Sequence, residues 1–285
     1  MNRTVVMSQI RSATTHLLGY GVVLAALWIA TRATPSGRAH DLAAYRGRHD
    51  AGASLHQVDA AVLASVEIVA AAAAAFVVLL VLTRRWRSAV PFAAVGAALV
   101  STEAMKAVLP HATATGWVLG GGSFPSGHTT LAAAVSLAAL HAAPVSWRQH
   151  LIGPLTAWTV LVATATITLG WHRPSDVVAA LVVSLAWTQV VSGITLGRIS
   201  RPLTSRAAKV LAGRSRLPVW WGSASLLVLA TATGAPSWQD SVIEVGTRSY
   251  LAALVVVACA CAWVITRGRD VPVPVRRHPS APAPR

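Results

Sequence analysis

The sequence predicts an all-α integral membrane protein, a polytopic bundle of about eight transmembrane helices built around a six-helix core. Three observations lead there. Of the 285 residues 54% are hydrophobic and the mean hydropathy is +0.58, which excludes an ordinary soluble domain of this size. Only 12% are charged, in short clusters between apolar runs rather than spread over one folded face. The runs recur at about 20 residues, the length a helix needs to cross the hydrocarbon layer.

In chain order, Ser12 to Thr31 carries no formal charge and forms the first span, an anchor rather than a cleaved leader. Residues 32–58 are polar, with Arg32, Arg38, Asp41, Arg46, Arg48 and Asp50, and read as the longest loop before the motifs. Span two covers 59–82 despite Glu67 and stops at Arg84-Arg85-Trp86-Arg87; span three covers 88–109 and carries Glu103 and Lys106 near its end. Pro110 to Pro125 is a Gly- and Thr-rich loop whose Gly120-Gly121-Gly122 lets backbone approach a ligand. Spans four, five and six cover 126–143, 151–170 and 174–197, and two more follow at 217–235 and 249–266. The chain thus divides into an anchor and outer loop (1–58), a membrane core (59–197), a basic inner loop with two further helices (198–266) and a disordered Pro-rich basic tail (267–285).

The formal charge of +15 suggests a nucleic-acid partner only until its distribution is considered. With the amino terminus in the cytoplasm, most of the 24 Lys and Arg residues fall on cytoplasmic segments, as the positive-inside rule requires. The cluster at 198–216 then meets anionic membrane lipids, not nucleic acid. Lys106 and Lys209 are the only lysines, and this arginine excess with abundant alanine points to a GC-rich bacterial genome. Cys259 and Cys261 lie on different faces of one apolar run and form no disulfide. Trp117, Trp171, Trp220, Trp221 and Trp238 read as interfacial belt residues, with Trp171 also at the pocket mouth.

The same alternation puts three segments on the extracytoplasmic face: the end of span three, the start of span four, and the link between spans five and six. Ser123-Phe124-Pro125-Ser126-Gly127-His128 opens a helix, where N–H groups and the positive dipole end favour an anion such as phosphate. His172-Arg173-Pro174-Ser175-Asp176 opens another: Pro174 suits its first turn, and Asp176 stands four residues after His172, within reach to hold the imidazole as a nucleophile. His128 is the candidate general acid, later the base for water; Lys106, the Ser126 hydroxyl and the Gly127 N–H are candidate phosphate contacts. Plainer roles exist for each: a cap for Asp176, an interfacial polar side chain for His172, a carbonyl-bonded helix residue for His128, and for Lys106 a snorkelling ammonium paired with Glu103.

These residues resemble the type-2 phosphatidic acid phosphatase superfamily, the membrane-bound lipid phosphate phosphatases. The family pattern is a Lys with a downstream Arg-Pro, then Pro-Ser-Gly-His, then Ser-Arg, five residues, His, three residues and Asp. Pro125-Ser126-Gly127-His128 matches completely; His172 and Asp176 match the third part, where Ala165 and Thr166 stand for Ser-Arg; Lys106 matches the first, with no Arg-Pro after it. Candidates to replace the missing cations are Arg173 and His111, and more remotely Arg46 and Arg48. The resemblance implies a phosphatase-like core and hydrolysis of a lipid phosphate or pyrophosphate, polyprenyl or glycerolipid, through a phosphohistidine without metal or cofactor. It leaves two alternatives: a non-catalytic scaffold or carrier that binds lipid phosphate, and a metal site made of His128, His172 and Asp176.

Overall fold

The computed structural model describes residues 3–46, 53–113, 116–196, 252–253 and 255–265. Its first helix, α1 (Arg3–Trp28), runs on through a π-helical turn, Ile29–Ala33, and then breaks. The break is dictated locally. Pro35 disfavours helical geometry in the residue before it, and Thr34 is extended with ψ 143°. Thr34 Oγ1 accepts the Gly37 N–H at 3.1 Å and so caps a second helix, α2 (Pro35–Arg46), with proline in its first position. The bend is 83°. Gly37 makes it possible: a Cβ there would lie 1.7 Å from the Ala30 carbonyl oxygen. This elbow corrects the expectation of a loop across 32–58. Polar composition suggested a loop, but a Thr-Pro cap starts a helix within it.

The remaining elements follow the apolar runs. They are α3 (Ala53–Leu82), a single turn α4 (Trp86–Ala89) with a 3₁₀ turn Val90–Phe92, and α5 (Ala93–Val108). Then come α6 (Gly127–Ala142), α7 (Val145–Thr168) and α8 (Pro174–Leu196). Between α5 and α6 the Gly-rich stretch forms an antiparallel hairpin, β1 (Pro110–Thr113) and β2 (Gly116–Leu119), with His111 opposite Val118. Three helical stretches are long and apolar enough to cross a membrane: Ala61–Leu82, Ser146–Thr168 and Pro174–Ser192. A fourth exists if Leu17–Ala33 and Pro35–Arg46 are one broken span. Helices α5 and α6 have 16 residues each, so about 24 Å, short of a hydrocarbon core of about 30 Å. Of the span expected at 249–266 the helical stretch Val255–Ile265 is described. The span at 217–235, the basic stretch 198–216 and the tail 267–285 lie outside the described residues.

Helix α8 is the centre of the bundle, packed against α1, α5 and α6, whereas α3 lies at the edge against α7. The difference is large: 72% of the apolar window of α8 is buried, and 11% of that of α3. Contact surfaces are built from small residues; Ala132, Ala133 and Ala134 of α6, Ala163 of α7, and Ala179 and Ala180 of α8 are wholly enclosed. In lipid the hydrophobic effect does not drive helices together, so close backbone approach and dispersion must do so. Hydroxyls add specificity across the joints. Thr102 and Thr130 pair at 3.0 Å, Ser136 and Thr159 at 3.0 Å, and Trp187 Nε1 donates to Ser101 Oγ at 2.8 Å.

Gly37→Ala should force the elbow open and lower the melting temperature in detergent by several degrees. Gly153→Ala, where an added Cβ meets nothing within 4 Å, should leave it unchanged or raise it. Equal melting of both variants would contradict the close approach at Gly37.

Candidate active site

Helix α6 starts where the sequence places it, with one difference in how. Ser126 is extended and fully buried; its Oγ accepts the Thr129 N–H at 3.4 Å and donates to Thr129 Oγ1 at 3.1 Å. Its hydroxyl is therefore committed to the cap rather than turned toward a ligand. What the helix offers an anion is the backbone N–H groups of its first turn, Gly127 and His128. The Ser126 N–H donates to the Asp176 carbonyl at 3.0 Å, which fastens the start of α6 to the start of α8.

Lys106, in the last turn of α5, reaches the same place. A Cβ on Gly127 would lie 3.2 Å from Lys106 Nζ and 3.6 Å from Glu103 Oε1. Lys106 also pairs with Glu103 at 2.8 Å. The pairing with Glu103 is compatible with the phosphate contact expected of it, because an ammonium has three donors and the carboxylate oxygen takes one. Glycine at 127 keeps the ammonium against the helix start.

His172 lies on the link between α7 and α8, held by its own N–H and that of Trp171, both 3.0 Å from the Thr166 carbonyl. Thr166 itself is fully buried and donates its hydroxyl to the Ala163 carbonyl at 2.8 Å. Asp176, in the first turn of α8, is also fully buried. Its Oδ2 accepts Ser123 Oγ at 2.8 Å and the Arg173 N–H at 3.0 Å, and stands 3.5 Å from His172 Nδ1. That last separation is too long for a hydrogen bond, and Nδ1 has no other partner, so the contact is electrostatic. With Nδ1 toward the carboxylate, Nε2 is the ring nitrogen left for chemistry. The His128 ring lies beside Trp171, centroids 5.3 Å apart, and within electrostatic reach of His172, Lys106 and Glu67 of α3. Lys106, Gly127, His128, His172 and Asp176 thus meet at one end of the bundle.

Arg173 stays beside Asp176, its N–H bonded to Oδ2. Arg173 is half-buried; burial, then the Arg32 charge, lower its pKa, while Asp41, Asp176 and Tyr45 act the other way. His111 packs under the Gly121-Gly122 backbone, 3.5 Å from an added Cβ on Gly122, with Nδ1 buried and unpartnered. Arg46 is exposed at the end of α2, and Arg48 lies outside the described residues. Among the described residues no three His, Cys, Asp or Glu side chains are grouped to hold a metal.

Sequence reasoning missed what the elbow delivers. Arg32, read only as part of the polar loop 32–58, donates through Nη2 to Asp176 Oδ1 and, at 3.3 Å, to Ser175 Oγ. Asp41 of α2 accepts Ser175 Oγ at 2.8 Å and the Ser175 N–H at 3.3 Å, and Tyr45 donates to the Gly170 carbonyl at 2.9 Å. The available signal was Thr34-Pro35, a helix start that folds the polar stretch back over the site.

Gly127→Ala should displace the Lys106 ammonium and weaken binding of vanadate, a phosphate analogue, by at least several-fold. The folded helix should survive, since alanine is the better helix former. Unchanged vanadate affinity would separate Lys106 from the anion site.

No curated protein and no solved structure matches the sequence. Residues 104–199, about a third of the chain, match the family model described as the PAP2 superfamily. That superfamily is a helical membrane fold whose members are phosphatases, so the match indicates a phosphoester hydrolase in general. Every motif residue from Lys106 to Asp176 lies inside the matched segment, and over that segment the chain is similar to the PAP2 superfamily.

Proposed function

We propose that the protein hydrolyses the phosphate or pyrophosphate head group of a membrane lipid, polyprenyl or glycerolipid, at the extracytoplasmic rim of the cell membrane. The observation that carries this reading is the meeting of His172, backed by Asp176, with His128 and Lys106 at the N-terminus of α6. His172 Nε2 attacks phosphorus while the bond from phosphorus to the leaving oxygen breaks, and that oxygen takes its proton from His128. The product is a phosphohistidine, with its positive ring stabilised by the Asp176 carboxylate. Water then attacks phosphorus, giving its proton to His128; the phosphorus–nitrogen bond breaks, and inorganic phosphate leaves with His172 restored. Lys106 and the first N–H groups of α6 take the charge on the non-bridging oxygens, since phosphoryl transfer is catalysed mainly by positioning and charge stabilisation.

The setting supports a lipid substrate. Charged groups gather at a bundle end while the helix sides are apolar, so a head group meets the cations as its hydrocarbon stays in the bilayer. The extracytoplasmic assignment rests on the positive-inside count.

The test is a panel of polyprenyl phosphate, polyprenyl pyrophosphate, phosphatidic acid and phosphatidylglycerol phosphate offered to the purified protein. Phosphate release should resist chelator, stop with vanadate, and fall about a thousandfold in His172→Ala. His128→Ala should accumulate acid-labile, base-stable label that His172→Ala abolishes. Tight binding of a panel lipid without release would instead favour the non-catalytic scaffold or carrier.

A further inference from the structure

The matched segment lacks the arginine that the family pattern has at position 166, yet a guanidinium does enter the site, from outside that segment. Arg32 sits on the π-helical turn that ends α1, and the elbow turns it inward. Its side chain is 12% exposed, its Nη2 bonds Asp176 Oδ1 and Ser175 Oγ, and it stands 3.8 Å from Asp41 Oδ2. The guanidinium carbon also lies 6.0 Å from the centre of the Phe124 ring. The backbone around it is fixed in turn: Arg38 Nη1 donates to the Arg32 and Ala33 carbonyls at 3.0 and 2.9 Å.

The charge arrangement gives this contact a consequence. Asp176 is wholly enclosed, and a buried carboxylate needs a matched cation. Two cationic side chains stand directly against its oxygens, Arg32 and the His172 imidazole in its protonated form, with the Arg173 guanidinium within electrostatic reach. If the imidazole supplied the charge, its second nitrogen would carry a proton and could not attack phosphorus. With a permanent guanidinium on Oδ1, the carboxylate does not depend on the imidazole for its counter-charge, and Oδ2 is left to orient Nδ1. The two oxygens divide the work accordingly: Oδ1 faces Arg32, and Oδ2 faces His172, Ser123 and the Arg173 N–H.

We infer that Arg32 is a positioning residue of the reaction, acting through Asp176 to keep His172 aimed. The first helix is then part of the catalytic apparatus rather than an anchor alone. This inference rests on the phosphohistidine reading above.

The experiment measures kcat and KM for the panel lipid turned over fastest, in the full-length protein and in Arg32→Gln, Arg32→Lys, Asp176→Asn and the double variant Arg32→Gln/Asp176→Asn. Arg32→Gln should lower kcat at least tenfold with KM within about threefold, and Arg32→Lys should recover part of the loss. In the Asp176→Asn background Arg32→Gln should cost less than threefold more, because the carboxylate through which it acts is gone. Thermal melting in detergent reports whether each variant folds; if Arg32→Gln does not, Arg32→Lys and the double variant carry the comparison. Unchanged kcat in Arg32→Gln, a rise confined to KM, or fully multiplicative losses in the double variant would overturn the inference. No turnover by the unaltered protein on any panel lipid would instead sink the phosphohistidine reading itself.

Discussion

The whole site hangs on a single buried charge. Asp176 is completely enclosed, and an ionised carboxylate removed from water must recover its solvation from fixed donors and cations. Its contacts come from three places: the elbow after α1, the turn before α6, and the α7–α8 link, which supplies both the Arg173 N–H and the His172 ring. Deleting a partner of such a charge costs about 3–5 kcal/mol in soluble proteins, so each of these segments is constrained by the same group. The carboxylate thereby sets where three otherwise separate pieces of chain must end.

That constraint explains why irregular backbone collects at one end of the bundle. Inside hydrocarbon, every N–H and carbonyl must be satisfied within the chain, which leaves helices as the only economical form. The hairpin, the Gly-rich turn, the α7–α8 link and the elbow all break helical bonding, and all lie beside the cluster of polar side chains. Ser126 illustrates the exchange: its hydroxyl satisfies its own helix, and its N–H satisfies the Asp176 carbonyl. Helix starts left facing the rim provide N–H groups and positive dipole ends where a phosphoryl group would enter.

The bundle beneath is held by a different force. Alanine-lined joints and paired hydroxyls let α6 and α8 approach closely, which matters in lipid, where burying apolar surface brings no gain. Rigid packing of α5, α6 and α8 fixes the spacing of Lys106, His128 and Asp176 at their ends. A shift of about 1 Å in such spacing can cost orders of magnitude in rate, so packing and chemistry are linked.

The sequence by itself determined the helical membrane class, the limits of α6 and α8 to within a residue or so, and the motif side chains that gather at one end of the bundle. Those features are local: apolar length sets a span, Pro174 sets a helix start, and four-residue spacing carries His172 to Asp176. It also held the α2 start, in Thr34-Pro35, beneath a composition that read as loop. Only the tertiary structure decided that Ser126 caps rather than faces the ligand side, and that Arg32 answers the Asp176 charge where Thr166 cannot. The physical reason is reach. Arg32 and Asp176 are separated by 144 positions, and no periodicity or motif connects them; they meet because Gly37 permits an 83° turn and the enclosed carboxylate demands a cation.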